Sequence, residues 1–567
     1  MNSIAASESA QIGDAGNSSE TVDTAWADES DPIDDTRPKD VESSTGDTHR
    51  YPTRYAAGSI SSRGTLPSKY DLLIHQENDA SRAEIRRQLA LRSQWRDTDF
   101  AFTISVRMAM KTRGAEATPV IMAELQQMVD KQVWHGVHLR NLSSAERKRI
   151  IRSSMFLKDK YLASGAFDRF KARLVAGGDM QDKTLYNNLS SPTASTTSVL
   201  TIAAIAAAEG RHAITIDIGG AFLNADLEPT GITVHMRLDK VMTALLVQLD
   251  PSFQSFVEDS GTAVVQLDKA LYGCVEAAAL WYNDLRGTIT KDGFVENAYD
   301  QCVFNKKCTD GNQTTIVLHV DDLLVTNANE SNLDAFYSYL KGVYKETRIV
   351  RGKVLDYVGM SFDFTVPGEA KVTMAKCIND ILGDGEDLKE ATTPASSTLF
   401  DIRPATKATT EENKWFHSVT AKVLYLAKRV RPECLTAVAF LSTRVNECDQ
   451  DDLSKLKRLL GYLKGTRERG IVLRIGEHMR VRAYIDAAYG VHQESDKSHI
   501  ECSIVLGDDE PLNYKSTKQK IVTKSSPEAE VVGLSDTASP DMHANLLTKP
   551  VQGAQFVRER RGLTNWE

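Results

Sequence analysis

The chain has 567 residues, with 41% apolar and 26% charged side chains and a formal net charge of −9. That length exceeds what one hydrophobic core supports and predicts three or four units, and the composition excludes a collagen-like or wholly low-complexity chain. Residues 1–50 alone hold 12 acidic and 3 basic side chains, so the remainder balances at 65 against 65, and local patches rather than bulk charge must decide whether nucleic acid is a partner.

Taken in order, residues 1 to about 60 are rich in Ser, Asp, Glu, Thr and Gly with few apolar anchors, which predicts disorder; the acidic segment and its linker extend over 1–80. Residues 80–113 have mixed, mostly helical composition and suggest no function. From Thr118 to Asp130 the spacing of Ile121, Leu125 and Met128 predicts an amphipathic helix. A basic concentration follows over 147–173. Runs such as Arg147 to Arg152 are ordinarily solvated faces, whereas Lys158, Lys160, Lys171 and Arg173 sit in strand-like settings. Ser195 and Thr196 are placed to cap an Ala-rich helix that stops at Gly210. Its apolar run, Val199 to Ala208, is too short to span a bilayer, so no membrane role is expected.

Acidic residues then appear inside apolar strand patterns. Asp217 lies in His212-Ala-Ile-Thr-Ile-Asp-Ile, followed by Gly219-Gly220 and Phe222. Further on, Thr314 to Asn329 reads as a strand, a tight turn carrying Asp321 and Asp322, and a returning strand. Such a turn is either a wet hairpin tip or a cation site, because paired carboxylates beside apolar strands are costly without a partner charge. One carboxylate on a strand and two on a neighbouring hairpin suit hard divalent ions bridged for in-line phosphoryl transfer. Val354 to Phe364 alternates like one strand, 385–412 is polar and reads as a loop, and Trp415 to Leu473 reads as helical. In the last hundred residues Asp486 ends a strand pattern, and Glu528 and Glu530 fall in the first turns of a helix. The seven cysteines (274, 302, 308, 377, 434, 448 and 502) form neither a Cys-x-x-Cys pair nor a zinc spacing, and no signal peptide is evident, so a reducing, intracellular setting is expected.

Several blocks, in this order, resemble the C-terminal pol region of copia-type LTR retrotransposons, reverse transcriptase followed by ribonuclease H. They are Phe170-Lys-Ala-Arg-Leu-Val-Ala, Asp217-Ile-Gly-Gly-Ala-Phe-Leu-Asn, Leu271-Tyr-Gly, Val320-Asp-Asp, Tyr357-Val-Gly, Tyr462-Leu-Lys-Gly-Thr and Tyr514-Lys-Ser-Thr-Lys-Gln-Lys, spread from about Thr118 to the C-terminus. The resemblance implies an α+β fold: a right-hand polymerase of fingers, palm and thumb, then a truncated α/β ribonuclease H-like domain. Fingers and palm would occupy 115–384, thumb and connection 385–475, and the ribonuclease H-like part 476–567. It implies an RNA-directed DNA polymerase acting on an RNA/DNA template-primer with deoxynucleoside triphosphates and two Mg²⁺ or Mn²⁺ ions. Asp217, Asp321 and Asp322 would hold the metals, Phe222 would lie under the incoming sugar and exclude a 2′-hydroxyl, and Lys158, Lys160, Lys171 and Arg173 would grip phosphate.

The chain also departs from the family. Val275, Glu276 and Ala278-Ala279 replace the usual Lys, Gln and Pro-Arg after Leu271-Tyr-Gly, and His319 stands in place of a tyrosine. A carboxylate near a triphosphate is repulsive, so an unusual nucleotide site or sequence decay is expected. Asp486 and Glu530 match two ribonuclease H ligands, with Glu528 the weaker candidate for the second. The segment bearing a third is missing, and Asn545 occupies the position of the last acid, so ribonuclease H activity is expected to be lost. Two other readings stand beside the polymerase: a degenerate remnant that only binds nucleic acid, and an unrelated metal-dependent phosphotransferase.

Overall fold

The computed structural model describes residues 104–161, 167–186, 189–383, 388–475, 480–506 and 511–537. The acidic segment and linker expected at 1–80, and Asn545, lie outside them. The described part is mixed α and β, with four sheets. Among the described residues no helix is long and apolar enough to cross a membrane.

A six-stranded antiparallel sheet organises the rest. Its order is β12 (Thr347–Arg351), β5 (His212–Ile218), β11 (Asp322–Asn327), β10 (Gln313–His319), β9 (Val303–Lys307) and β8 (Val295–Glu296). The middle strands read as continuous apolar runs because both faces are covered. Successive side chains alternate sides: Ile316, Leu318, Leu323 and Val325 enter one core, while Val317 and Leu324 enter another.

On the first face pack helices α1 (Val106–Asp130), α3 (Ala277–Lys291) and α4 (Glu330–Val343). Ile121, Leu125 and Met128 are fully buried, as their spacing predicts. Helix α1 begins well before Thr118, although Arg113 breaks its backbone geometry. The same core joins a second six-stranded sheet, ordered β1 (Ile104–Ser105), β3 (Ile151–Tyr161), β6 (His235–Leu238), β7 (Ala263–Leu267) and β2 (Trp134–Val137), with β4 (Phe167–Ala176) paired to β3. That pairing makes a long basic hairpin.

Helix α2 (Thr196–Ala208) covers the opposite face of the central sheet. Ser195 caps it, accepting from Ser198 N at 3.0 Å, and its small side chains allow close approach. The core on this face also takes in α5 (Thr410–Val430), α6 (Leu435–Ser442) and α7 (Gln450–Gly465). Thr409 and Asp449 begin α5 and α7 with reciprocal capping boxes.

Three expectations change here. Val354 to Phe364 is a hairpin of β13 (Val354–Tyr357) and β14 (Met360–Asp363), because Val358 and Gly359 both take positive φ and turn the chain. The segment Ile471–Arg474, expected in a helical region, is strand β16 and pairs with β15 (Glu369–Thr373). One sheet therefore spans the boundary expected at 384. Asp486 lies inside a strand, not at its end: β17 (Val481–His492), β18 (Lys497–Leu506) and β19 (Pro511–Lys518) form a three-stranded sheet followed by α8 (Ser526–Thr537).

Gly461 lies where α7 meets the segment at Lys389, and a methyl group there would overlap the Lys389 carbonyl oxygen. Gly461→Ala is expected to lower stability by about 1–3 kcal/mol through overpacking despite its better helix propensity; a denaturant titration with an unchanged midpoint would contradict this contact.

Candidate active site

His319 and Asp322 close the β10–β11 ladder opposite each other, leaving Val320 and Asp321 as a two-residue turn. Tight hairpins of this length need a positive φ, which glycine usually supplies. Val320 supplies it here, at φ 61°. A β-branched residue in that region is disfavoured by about 1–2 kcal/mol. The surroundings hold it there: the Trp281 indole N–H donates to the Val320 carbonyl oxygen at 2.6 Å. Trp281 is itself buried on α3 and meets the Tyr344 ring edge-on.

Register brings in the third acid. Strands β5 and β11 pair so that Asp217 lies directly opposite Asp322, and Ile218 N–H donates to the Asp321 carbonyl oxygen at 3.1 Å. Asp217 is exposed, whereas Asp321 and Asp322 are half-buried. Burial pushes the Asp321 carboxyl up from its ordinary range and the Asp217 carboxylate adds to this, while the Arg173 guanidinium pulls the other way. Among the described residues no three His, Cys, Asp or Glu side chains are gathered into a ready-made metal cage. The backbone positions converge, while the carboxylates remain spread.

A shelf of stacked groups stands beside the acids. Phe222, on a short turn after β5, lies 4.8 Å ring to ring from Tyr272, and the Arg173 guanidinium sits 4.2 Å over the other ring, Tyr272. Tyr272 is fixed by its neighbours: its carbonyl accepts from Ala176 N at 2.7 Å, and Gly273 (φ 93°) approaches the end of β4 so closely that a Cβ would strike the Ala176 carbonyl oxygen. Glu124 of α1 accepts from Leu174 N at 2.9 Å, and burial raises its pKa against the pull of Lys171 and Arg173. Lys158 is the register partner of Lys171, and Lys160 that of Arg169; the Lys160 side chain lies outside the described residues. Of the four sequence-predicted cations, Arg173 is thus brought to the acids and Lys171 to Glu124.

Glu276 is 2% exposed, and it accepts from Gln181 Nε2 at 3.0 Å and from the Tyr186 hydroxyl at 3.1 Å, while Gln181 Oε1 accepts from Val275 N. Its oxygens are thus satisfied by neutral donors within a packed network, which leaves its charge in place. Burial lowers the pKa of His319, Arg429 lowers it further and Asp321 pulls the other way; among the described residues its buried Nδ1 makes no hydrogen bond.

In the C-terminal sheet Glu530 Oε1 accepts from Ala487 N at 3.2 Å, next to Asp486, whereas Glu528 Oε2 accepts from Lys524 N near the start of α8. Tyr272, Trp281 and Glu124 had no role assigned from sequence. Tyr272 and Trp281 lie in the Leu271-Tyr-Gly block and just after it, a signal for the first two; Glu124 had no signal beyond its place on an amphipathic helix.

Residues 136–398 match the sequence profile described as reverse transcriptase (RNA-dependent DNA polymerase). Over 384 residues, 67% of this chain and 25% of the relative, it is 29% identical to a retrovirus-related Pol polyprotein from transposon RE1 of Arabidopsis thaliana. Identity is 22% over 428 residues, 74% of this chain and 30% of the relative, to the corresponding polyprotein from transposon TNT 1-94 of Nicotiana tabacum. The transposon Ty1-BL Gag-Pol polyprotein of Saccharomyces cerevisiae is 22% identical over 434 residues, 73% of this chain and 23% of the relative. The chain thus spans about a quarter of the length of the Arabidopsis relative.

Trp281→Phe removes the donor to Val320 while keeping a ring, and is expected to destabilise the chain by about 1–3 kcal/mol, read by denaturant titration. An unchanged midpoint would show that the turn does not rely on that bond. Asp321 ionises less readily folded than unfolded, so its carboxyl favours the fold below the ordinary carboxylate range, and that contribution is lost as pH rises through its raised pKa. Asp321→Asn is therefore expected to melt higher than the parent at pH 7 without metal, the gain shrinking as pH is lowered toward about 4. A lower melting temperature at pH 7 would contradict that assignment.

Proposed function

We propose, from the premise that residues 136–398 belong to the reverse transcriptase (RNA-dependent DNA polymerase) family, that this chain is an RNA-directed DNA polymerase of a copia-type transposon. The observation that carries the reading is the placement of Asp217 opposite Asp322 with Asp321 on the adjoining turn. The central sheet is read as the palm, the β3–β4 sheet as the fingers, and α5–α7 as the thumb. Its substrates would be a template-primer and deoxynucleoside triphosphates, and its setting the interior of the cell, in a cytoplasmic particle or the nucleus.

The residues fit divalent metal. Three carboxylates supply hard oxygen ligands, and the Asp321 carboxyl is pushed up by burial first and by the neighbouring Asp217 carboxylate after it. Asp217, Asp321 and Asp322 would hold Mg²⁺ or Mn²⁺, two ions that when bound lower the pKa of the attacking hydroxyl and neutralise the departing pyrophosphate. Arg173, held over the Tyr272 ring, would present its guanidinium to the triphosphate, with Lys171, Lys158 and Lys160 along the same hairpin. Phe222, braced by Tyr272, would occupy the space a 2′-hydroxyl needs. The buried Glu276, hydrogen-bonded by Gln181 and Tyr186, supports this reading over the degenerate remnant, since the replacement is packed into the fold rather than left unsatisfied.

Purified protein is expected to extend a DNA primer on an RNA template with Mg²⁺, and Asp321→Ala to abolish extension. Phe222→Ala should admit ribonucleotides that the parent rejects. Extension undiminished in Asp321→Ala would refute the polymerase site. For the C-terminal sheet, Asp486 and Glu530 are too few carboxylates for two-metal hydrolysis, and a labelled RNA·DNA hybrid is expected to stay uncut; Mg²⁺-dependent cleavage lost in Asp486→Asn would overturn this.

A further inference from the structure

Between the start of α2, the ends of α5 and α6, and strand β19 lies a cavity of about 620 Å³. Among the described residues four cationic side chains line it, Lys428, Arg429, Lys515 and Lys518, and no carboxylate does. Hydroxyls of Thr443, Ser516 and Thr517 share the lining. Glu501, on the strand next to β19, is itself engaged, accepting from the Thr436 and Ser516 hydroxyls.

The walls are tied together. Asn513 Nδ2 donates to Thr197 Oγ1 at 2.9 Å, joining β19 to α2, and the Tyr514 hydroxyl donates to the Arg429 carbonyl oxygen, joining β19 to α5. Arg429 lies 3.6 Å over the Tyr425 ring and donates through Nη1 to the Tyr425 carbonyl oxygen, yet its buried Nε makes no hydrogen bond. Lys515 reaches the Asp536 carbonyl oxygen at 3.5 Å. Like charges gathered in one concavity repel, and an anion with several oxygens relieves this while accepting from the lysine ammonium groups and the Arg429 guanidinium. The volume suits a ligand of nucleotide size.

We propose that this cavity, whose lining includes none of the three acids, is a binding site for a phosphate-bearing ligand. Its phosphates come either from a free polyphosphate group or from a phosphodiester chain.

The test is calorimetric titration of the full chain, in EDTA, with tripolyphosphate and separately with a short single-stranded DNA. Saturable binding of tripolyphosphate is expected, retained in Asp321→Asn and weakened about tenfold or more when Lys515→Gln and Lys518→Gln are combined. Lysine-dependent binding of the oligonucleotide alone would support the site and assign its phosphates to a phosphodiester chain. Should the double variant fail to fold, Lys428→Gln, at an exposed position, serves as the second variant. Absence of lysine-dependent binding by either ligand overturns the proposal, whatever becomes of primer extension.

Discussion

Everything at the site depends on like charges being held together against their own repulsion. Asp217 and Asp322 face each other across two paired strands, and Asp321 extends from the adjoining turn. Directly opposed carboxylates disfavour strand pairing. The pairing holds because the same strands bury Ile214, Ile216, Leu323 and Val325 in one core and Leu324 in the other. A one-residue slip would turn those side chains out and separate the acids, so the apolar pattern sets the register and the register sets the chemistry.

The turn is the least relaxed part of this arrangement. Val320 takes a backbone conformation that suits glycine, and the carbonyl that results is met by the Trp281 indole. Tyr272 is placed by a comparable device, a glycine so close to β4 that no side chain fits, and it supports Phe222 on one side and Arg173 on the other. Acids, aromatic shelf and cation therefore come from separate elements locked to one another by backbone contacts. Such preorganisation is what a site needs if charge is to develop in it without large rearrangement.

Much of this was legible in the sequence. Apolar flanks around Asp321-Asp322, the strand around Asp217 and the spacing of Ile121, Leu125 and Met128 each follow short-range periodicity, which a linear reading captures. The partners of Glu276, Gln181 and Tyr186, lie about ninety residues away and give no local sign. The hairpin within Val354 to Phe364 was missed because Val358, a strand-favouring residue, takes positive φ. The strand at Ile471–Arg474 was hidden for a similar reason: it completes a sheet whose other members come a hundred residues earlier. Glu124 carries its role only because α1 lies against β4.

Titrating Mn²⁺ into the metal-free protein, followed by electron paramagnetic resonance, tests the shared-carboxylate site most directly. Saturable binding should weaken strongly in both Asp217→Asn and Asp322→Asn, although these residues lie more than a hundred positions apart in the chain. Full-strength Mn²⁺ binding in either variant would mean that the two carboxylates do not serve a common ion.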